Sequence, residues 1–505
     1  MAAGQMTDPL TWTLTEAAGA IRDKAISARE LTESCLTQVA SHDSDIKAFL
    51  RVDTERALVN ADWADGVVAA GKPLGPLHGV PLAHKDQFER AGRVSTCASK
   101  TRESAISERT ATLLVRLDAA GALDLGTLNM SEFAFHVWGF NPLLGPPHNP
   151  WDTSRIAGAS SGGSAAALAA RMVFGALGSD SGGSVRHPAA LSGVVGLLPT
   201  HGRLSRHGML GSSTTVDSPG PMARTVADVA CLLSVLAGHD PSDPLSSKHP
   251  APDYQARLDV PLAGRTIGVA GDALITDLPG DLQDAYNASV SVFKALGAKT
   301  VVLELDKLEP LSAVAAMVFA SEAGANHAPA LRERGDDIEP QIHERLLQGF
   351  AYPAAAYIAA VNDRASHTRA FVETAFTEVE LLLLPAATDI APRAEDVLSG
   401  IPQLPTKLDP GHFMRAFNYL GLPVLAVPCG FSRIGSKPDS PQGLPIALQL
   451  VGRPFAEAAL LNAGHLFQRE TGIHHIVPAM SMRGDAAAPV TGGDEPNLFS
   501  NPSGR

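Results

Sequence analysis

Hydroxyl side chains and glycines are concentrated in one stretch, Arg155 to Gly208. Gly158-Ala159-Ser160-Ser161-Gly162-Gly163-Ser164 opens it and runs into Ala-rich sequence as far as Ala170. Gly178-Ser179-Asp180-Ser181-Gly182-Gly183-Ser184-Val185-Arg186-His187-Pro188 follows, then Gly196-Leu197-Leu198-Pro199-Thr200. Each loop can bring a hydroxyl and several backbone N–H groups to one place, and glycine lets the backbone come close. A hydroxyl that attacks a carbonyl carbon beside N–H groups that hold its oxygen is the chemistry of acyl transfer. Linkers are also rich in Gly and Ser, but helix-forming Ala165–Ala170 and apolar Met172–Leu177 lie between these two loops. A phosphate-cradling loop needs G-x-x-x-x-G-K-[ST]. Ser164 and Ser184 stand where its lysine belongs.

A serine hydroxyl is a weak nucleophile near neutral pH and needs a base. None of the 17 histidines lies in a recognisable hydrolase context, and there is no G-x-S-x-G elbow. His84 and His187 neighbour the interesting segments and are read as structural hydrogen-bonding partners.

The stretch resembles the signature of the amidase signature family, the Ser-cisSer-Lys amidohydrolases. Its pattern is G-G-S-S-G-G-S, an Ala-rich helix, D-T-G-G-S-[IV]-R-x-P and G-x-K-P-T. Ala159, Ser181 and Leu198 depart from it, in place of Gly, Thr and Lys. Gly79-Val80-Pro81-Leu82-Ala83-His84-Lys85-Asp86 resembles the family's G-V-P-[IL]-x-x-K-D. Asn129 to Ala134, Asp217 to Arg224, and Phe413 to Pro423 resemble three further family segments, so the likeness covers most of residues 12 to 478.

The resemblance implies Ser184 as nucleophile, Ser160 as the bridging serine on a cis peptide, and Lys85 as base, with no metal or organic cofactor. It implies an oxyanion hole from the N–H groups of Ser181, Gly182, Gly183 and Ser184, with Asp180 and Arg186 as structural support. Met130, Phe133, Trp138 and Phe413 are expected to line an apolar acyl or leaving-group pocket. To serve as base, Lys85 must lower its pKa from about 10.4 toward roughly 7–8, which burial favours. The expected reaction is hydrolysis of a small-molecule carboxylic amide, or of a carbamate, hydrazide or ester, through an acyl-enzyme. The alternative is the glutaminase (A) subunit of a tRNA-dependent amidotransferase. That role needs a partner subunit, plus a cation for the glutamine α-carboxylate, and the sequence singles out no such arginine in residues 311–415.

The elements that must carry these residues alternate. Helices are expected over residues 12–68, where Leu14, Ala17, Ile21 and Ile26 form a stripe and Ser27-Ala28-Arg29-Glu30 has capping-box spacing. Val80–Asp86 reads as the end of a strand. Helix 110–120, strand 122–126, helix 226–236, strand 266–270, helix 282–296 and strand 299–305 give a β-α-β rhythm, which argues for parallel pairing with helices on the faces. The expected fold class is α/β: the amidase signature fold, a large twisted mixed (mostly parallel) β-sheet covered by helices on both faces. Residues 1–483 form one domain, with the signature core over about 75–240 and a helical cap over about 311–378. Leu381–Leu384 reads as a buried strand, Pro-rich 390–411 as a long loop, and 484–505 as a disordered tail.

The chain has 505 residues, a net charge of −13 and no long basic run, which disfavours nucleic acid and anionic membranes as direct partners. Its four cysteines form no C-x-x-C pair. With no secretory signal or membrane-length apolar run, the expected location is the cytoplasm. A homodimer is compatible with these features.

Overall fold

The computed structural model describes residues 8–399, 408–433 and 443–482. Its strands are β1 Phe49–Val52, β2 Pro81–Lys85, β3 Leu123–Leu128, β4 His148–Asn149, β5 Asp152–Ile156, β6 Gly175–Asp180, β7 Val195–Leu198, β8 Ser218–Ala223, β9 Thr266–Ala270, β10 Lys299–Leu303, β11 Leu381–Pro385, β12 Val424–Phe431 and β13 Pro445–Gly452. Eleven of them form one mixed sheet in the order β1-β3-β2-β6-β8-β7-β12-β13-β11-β9-β10, while β4 and β5 make a separate ribbon. The β-α-β rhythm is reflected in two parallel blocks, β3-β2-β6 and β11-β9-β10. Antiparallel pairs through β8, β7, β12 and β13 join the blocks, and β1 adds an antiparallel edge.

One apolar cluster runs from Leu10 to Phe467 and includes the three N-terminal helices, Leu14–Arg22, Ala28–Ile46 and Thr54–Ala69, and the central strands. At Ser27 the capping box forms: Glu30 N–H donates to Ser27 Oγ at 3.0 Å and Ser27 N–H to Glu30 Oε2 at 2.8 Å. Helix Ala28–Ile46 then buries Leu31, Cys35 and Val39. β11 reads Leu-Leu-Leu-Leu-Pro and is buried at every position, as expected of a strand covered on both faces.

Register fixes the site. Leu82 pairs with Gly175, Ala83 with Ala176 and His84 with Leu177. The carboxyl ends of parallel β2 and β6 therefore lie side by side, which places Lys85 next to Ser179 and Asp180. Such ends are where α/β sheets place ligands.

The region 311–378 is helical, with helices Leu308–Asn326, Ala328–Arg334, Pro340–Gln348 and Ala354–Ala375. The stretch expected to be a loop over 390–411 contains a short helix, Ala394–Leu398, with acidic residues in its first turn; residues 400–407 lie outside the described residues. The expected tail, 484–505, also lies outside them. All four cysteines are buried and unpaired. Among the described residues no helix is long and apolar enough to cross a membrane.

Candidate active site

Lys85 ends β2 with no solvent exposure. Its Nζ donates to Ser160 Oγ at 2.7 Å and to Ser179 Oγ at 2.8 Å. Burial lowers its pKa from 10.5 to about 7, against the pull of Cys97, Asp217 and Asp180. Burial pushes the Cys97 thiol up to about 12, so that thiol is neutral where Lys85 titrates.

Ser160 follows a cis peptide bond from Ala159 and directly precedes Ser161, which stands at the N-cap position of helix Gly162–Ala169 without a capping hydrogen bond from its side chain. The loop is fastened to β6 by the neighbouring hydroxyls: Ser161 Oγ donates to Ser179 O at 3.2 Å, and Ser164 Oγ to Leu177 O at 3.0 Å. Gly163 is required here, because a Cβ would lie 2.4 Å from Ala48 O and 2.5 Å from Asn129 O. Ser184 sits between β6 and helix Arg186–Ser192. The Ser161 N–H donates to Ser184 O at 3.1 Å and ties the two loops together. No hydrogen bond joins the Ser160 and Ser184 hydroxyls directly; such bonds commonly tighten only around substrate.

The nucleophile loop is wound around Asp180. Its carboxylate accepts from the N–H groups of Gly183 at 2.7 Å, Val185 at 3.2 Å and Arg186 at 3.4 Å. The Arg186 guanidinium grips the same carboxylate at 2.9 and 3.0 Å and also donates to Asn418 Oδ1 at 2.7 Å. Both residues are fully buried. Burial alone would raise the Asp180 pKa, yet Arg186 and the loop donors hold it below its ordinary value. The Gly183 N–H is thus committed to Asp180, which leaves the amides of Ser181, Gly182 and Ser184 for an incoming oxygen. Gly183 has φ +122°, and a Cβ there would meet Met414 Sδ at 2.3 Å. Removing one member of a buried pair strands the other charge. Arg186→Met is therefore expected to cost about 3–5 kcal/mol of stability, measured by urea unfolding. A loss below about 1 kcal/mol, the range of exposed pairs, would show that the pair does not hold the loop.

Ser181, Gly182 and Ser184 open into a cavity of about 280 Å³. Phe135, Val137, Ala315 and Phe319 supply apolar wall; Arg345, Arg415 and Asp409 supply charge. Arg415 pairs with Asp409 at 2.6 Å, while Arg345 makes no ion pair among the described residues. None of the four expected pocket residues lines this cavity. Met130 and Phe133 belong to a buried cluster with Ile338, Ile342 and Leu346, and Phe133 stacks on His327 with ring centroids 4.0 Å apart. Phe413 is core. Trp138 meets His187 edge-on at 6.3 Å. Phe133 and Trp138 line two other cavities. The signal that could have found the residues of this one was adjacency: residues 135–137 directly follow the segment Asn129–Ala134. His84 pairs with Asp124 at 3.1 Å, and His187 Nδ1 lies 3.5 Å from the Ala159 amide. Both are structural partners. Sequence reasoning also missed Ser179 and its partner Gln87, whose Oε1 accepts from Ser179 Oγ at 2.5 Å. Among the described residues no group of three or more His, Cys, Asp or Glu could hold a metal ion.

Comparison with known proteins places these features in context. The Amidase family profile matches residues 30–461. The A subunit of glutamyl-tRNA(Gln) amidotransferase from Chloroflexus aurantiacus is 36% identical, over 93% of this chain and 98% of that protein. A solved structure described as part of an unexpected vestigial protein complex, revealing the evolutionary origins of an s-triazine catabolic enzyme, is 34% identical with a TM-score of 0.83; the match covers 91% of this chain and 99% of that one. The structure of the glutamyl-tRNA(Gln) amidotransferase A subunit from Thermotoga maritima is 27% identical with a TM-score of 0.73, over 91% of this chain and 94% of that one.

Proposed function

This chain belongs to the amidase family, and from that premise we propose that it hydrolyses a carboxylic amide through an acyl-enzyme on Ser184. The observation that carries the reading is the burial of Lys85 Nζ at 2.7 Å from Ser160 Oγ. Neutral Lys85 takes the Ser160 proton as Ser160 takes that of Ser184, and Ser184 Oγ attacks the amide carbon. The amides of Ser181, Gly182 and Ser184 receive the negative oxygen. The C–N bond breaks as Ser160 passes a proton to the leaving nitrogen and recovers one from Lys85. Water then enters by the same relay in reverse and releases the acid.

The cavity selects within this class. Its apolar side suits a hydrocarbon portion, and Arg345 and Arg415, the latter packed beside Gly182, suit a carboxylate. The substrate is a small amide that carries a carboxylate. Asp409 beside Arg415 adds a site for an ammonium, so a free amino acid amide such as glutamine is the leading member. This is also the observation that favours the second reading, the glutaminase component of a tRNA-dependent amidotransferase. Similarity to the A subunit of that enzyme over nearly its full length supports it, and it adds a requirement for partner subunits.

Hydrolysis should be assayed by ammonia release on glutamine, succinamic acid and propanamide, and by release of the aniline or the phenol on an anilide and an aryl ester. Carboxylate-bearing amides should be preferred. Arg345→Met should lower kcat/KM on them by about tenfold to a hundredfold, the worth of a charged hydrogen bond, and leave propanamide unchanged. Equal loss on all five, or no preference for the carboxylate, would refute the substrate class. Glutamine turnover that appears only with added amidotransferase partners would decide for the second reading.

A further inference from the structure

We propose that Gln87 and Ser179 are positioning residues that fix the polarity of Lys85, so that its lone pair faces Ser160. The inference rests on Lys85 acting as base, and it follows from a chain of buried hydrogen bonds whose directions are forced.

The chain starts at the carbonyl of Leu210, which can only accept. Gln87 Nε2 donates to it at 2.6 Å. This sets the orientation of the amide and turns Oε1 toward Ser179. Ser179 Oγ donates its hydrogen to that Oε1 at 2.5 Å. A hydroxyl has one proton to give, so toward Lys85 the Ser179 oxygen can only accept, which it does at 2.8 Å. Neutral Lys85 has two N–H bonds and one lone pair. One N–H is held by Ser179, and the lone pair is free to take the proton of Ser160, 2.7 Å away. Without Gln87 the Ser179 hydroxyl could turn and donate to the amine. The lone pair would then be occupied, and the relay from Ser184 would stop at Ser160. Gln87 is 1% exposed and Ser179 is 0% exposed, so no bulk water competes for either position.

The other groups around Lys85 do not perform this task. Asp86 follows it in the chain and is bound by the Thr96 and Ala98 amides. Asp180 is held by Arg186. Asp217 accepts from the Ser212 and Ser213 amides at 2.8 and 2.9 Å. The Cys97 thiol is neutral where Lys85 titrates. No carboxylate hydrogen-bonds to Nζ, so the direction of its lone pair is set by Ser179.

The test measures the rate of Ser184 labelling by a fluorophosphonate from about pH 5 to about 10, a range that spans the titration of a base poised near neutrality. It compares the parent with Ser179→Ala, Gln87→Met, the double variant and Lys85→Ala. Gln87→Met is expected to lower the high-pH plateau by about tenfold or more, a part of the 10²–10⁴ that a positioned base supplies. It should also move the acid limb to lower pH, because a Ser179 hydroxyl donating to the amine favours its neutral form. Ser179→Ala should move the limb in the same direction, since the ammonium loses an acceptor. Gln87 acts only through Ser179, so adding Gln87→Met to Ser179→Ala should change the rate by less than about twofold, the signature of coupled residues. Purely structural roles would instead give multiplied losses with the limb unmoved, and that result overturns the inference, as does a parent-like Gln87→Met. If Lys85→Ala keeps the parent's rate and limb, the base assignment itself fails. A dead Lys85→Ala beside a normal Gln87→Met removes only the positioning role.

Discussion

Ser184→Ala is expected to abolish both turnover and fluorophosphonate labelling while the protein stays folded. The hydroxyl sits on a loop that Asp180, Arg186 and Asn418 hold from below, and it opens into the cavity that Ser181 and Gly182 also line. Removing one oxygen from a partly exposed position should change stability by no more than about 0.5 kcal/mol. Activity should fall by at least about a thousandfold, since loss of a nucleophile leaves only what the oxyanion donors and binding supply. Mass spectrometry of the labelled parent should place the adduct on the peptide that contains Ser184. Residual turnover within about tenfold of the parent, a barrier change of only about 1.4 kcal/mol, would remove Ser184 from the mechanism. Labelling on Ser160 instead would reassign the nucleophile within the same relay.

What was legible in the sequence followed from how local each signal is. Helix Val226–Leu236 and strand Thr266–Ala270 have the bounds that periodicity gives. The capping box at Ser27 and Glu30 is a four-residue signal and forms as read. Lys85 and Ser160 could be named from their motifs, although 75 residues separate them. The pocket was not legible in the same way. Phe133 and Ala134 both have positive φ, 53° and 60°. That reversal sends Phe133 back against His327 and turns residues 135–137 toward Ser184. No residue type announces such a turn, because bulky side chains rarely adopt it. Arg345 reaches the cavity from helix Pro340–Gln348, far from any signature segment. Gln87 and Ser179 meet only because β2 and β6 are parallel neighbours in one register. The helix Ala394–Leu398 is too short to show a period among so many prolines.

The second large effect concerns Lys85, where activity and stability should respond to one and the same titration. With a folded pKa of about 7, Lys85 is mostly neutral only above that value, so turnover should rise with pH through about 7 and then level. Lys85→Ala should lose about 10²–10⁴ of the rate together with this limb. Lys85→Arg should be as defective, because guanidinium stays protonated. Near-parent turnover by a folded Lys85→Arg enzyme would exclude the lysine as base. Stability follows from the same shift. The folded pKa lies below the 10.5 of the free side chain, so between about 7 and 10.5 the unfolded chain binds more protons than the folded one. Parent stability should therefore rise with pH across that window, and below about 7 the full cost of burying the amine is present. A shift from 10.5 to about 7 corresponds to at most about 5 kcal/mol at 1.36 kcal/mol per unit, less whatever the bonds to Ser160 and Ser179 return. Lys85→Met should accordingly unfold at higher urea than the parent at pH 6, and the difference should shrink toward pH 10.5. A difference between the parent and Lys85→Met that stays constant from about pH 6 to about pH 10.5 would mean that the amine titrates alike in the folded and unfolded chains, and the depressed pKa on which the base depends would fall with it.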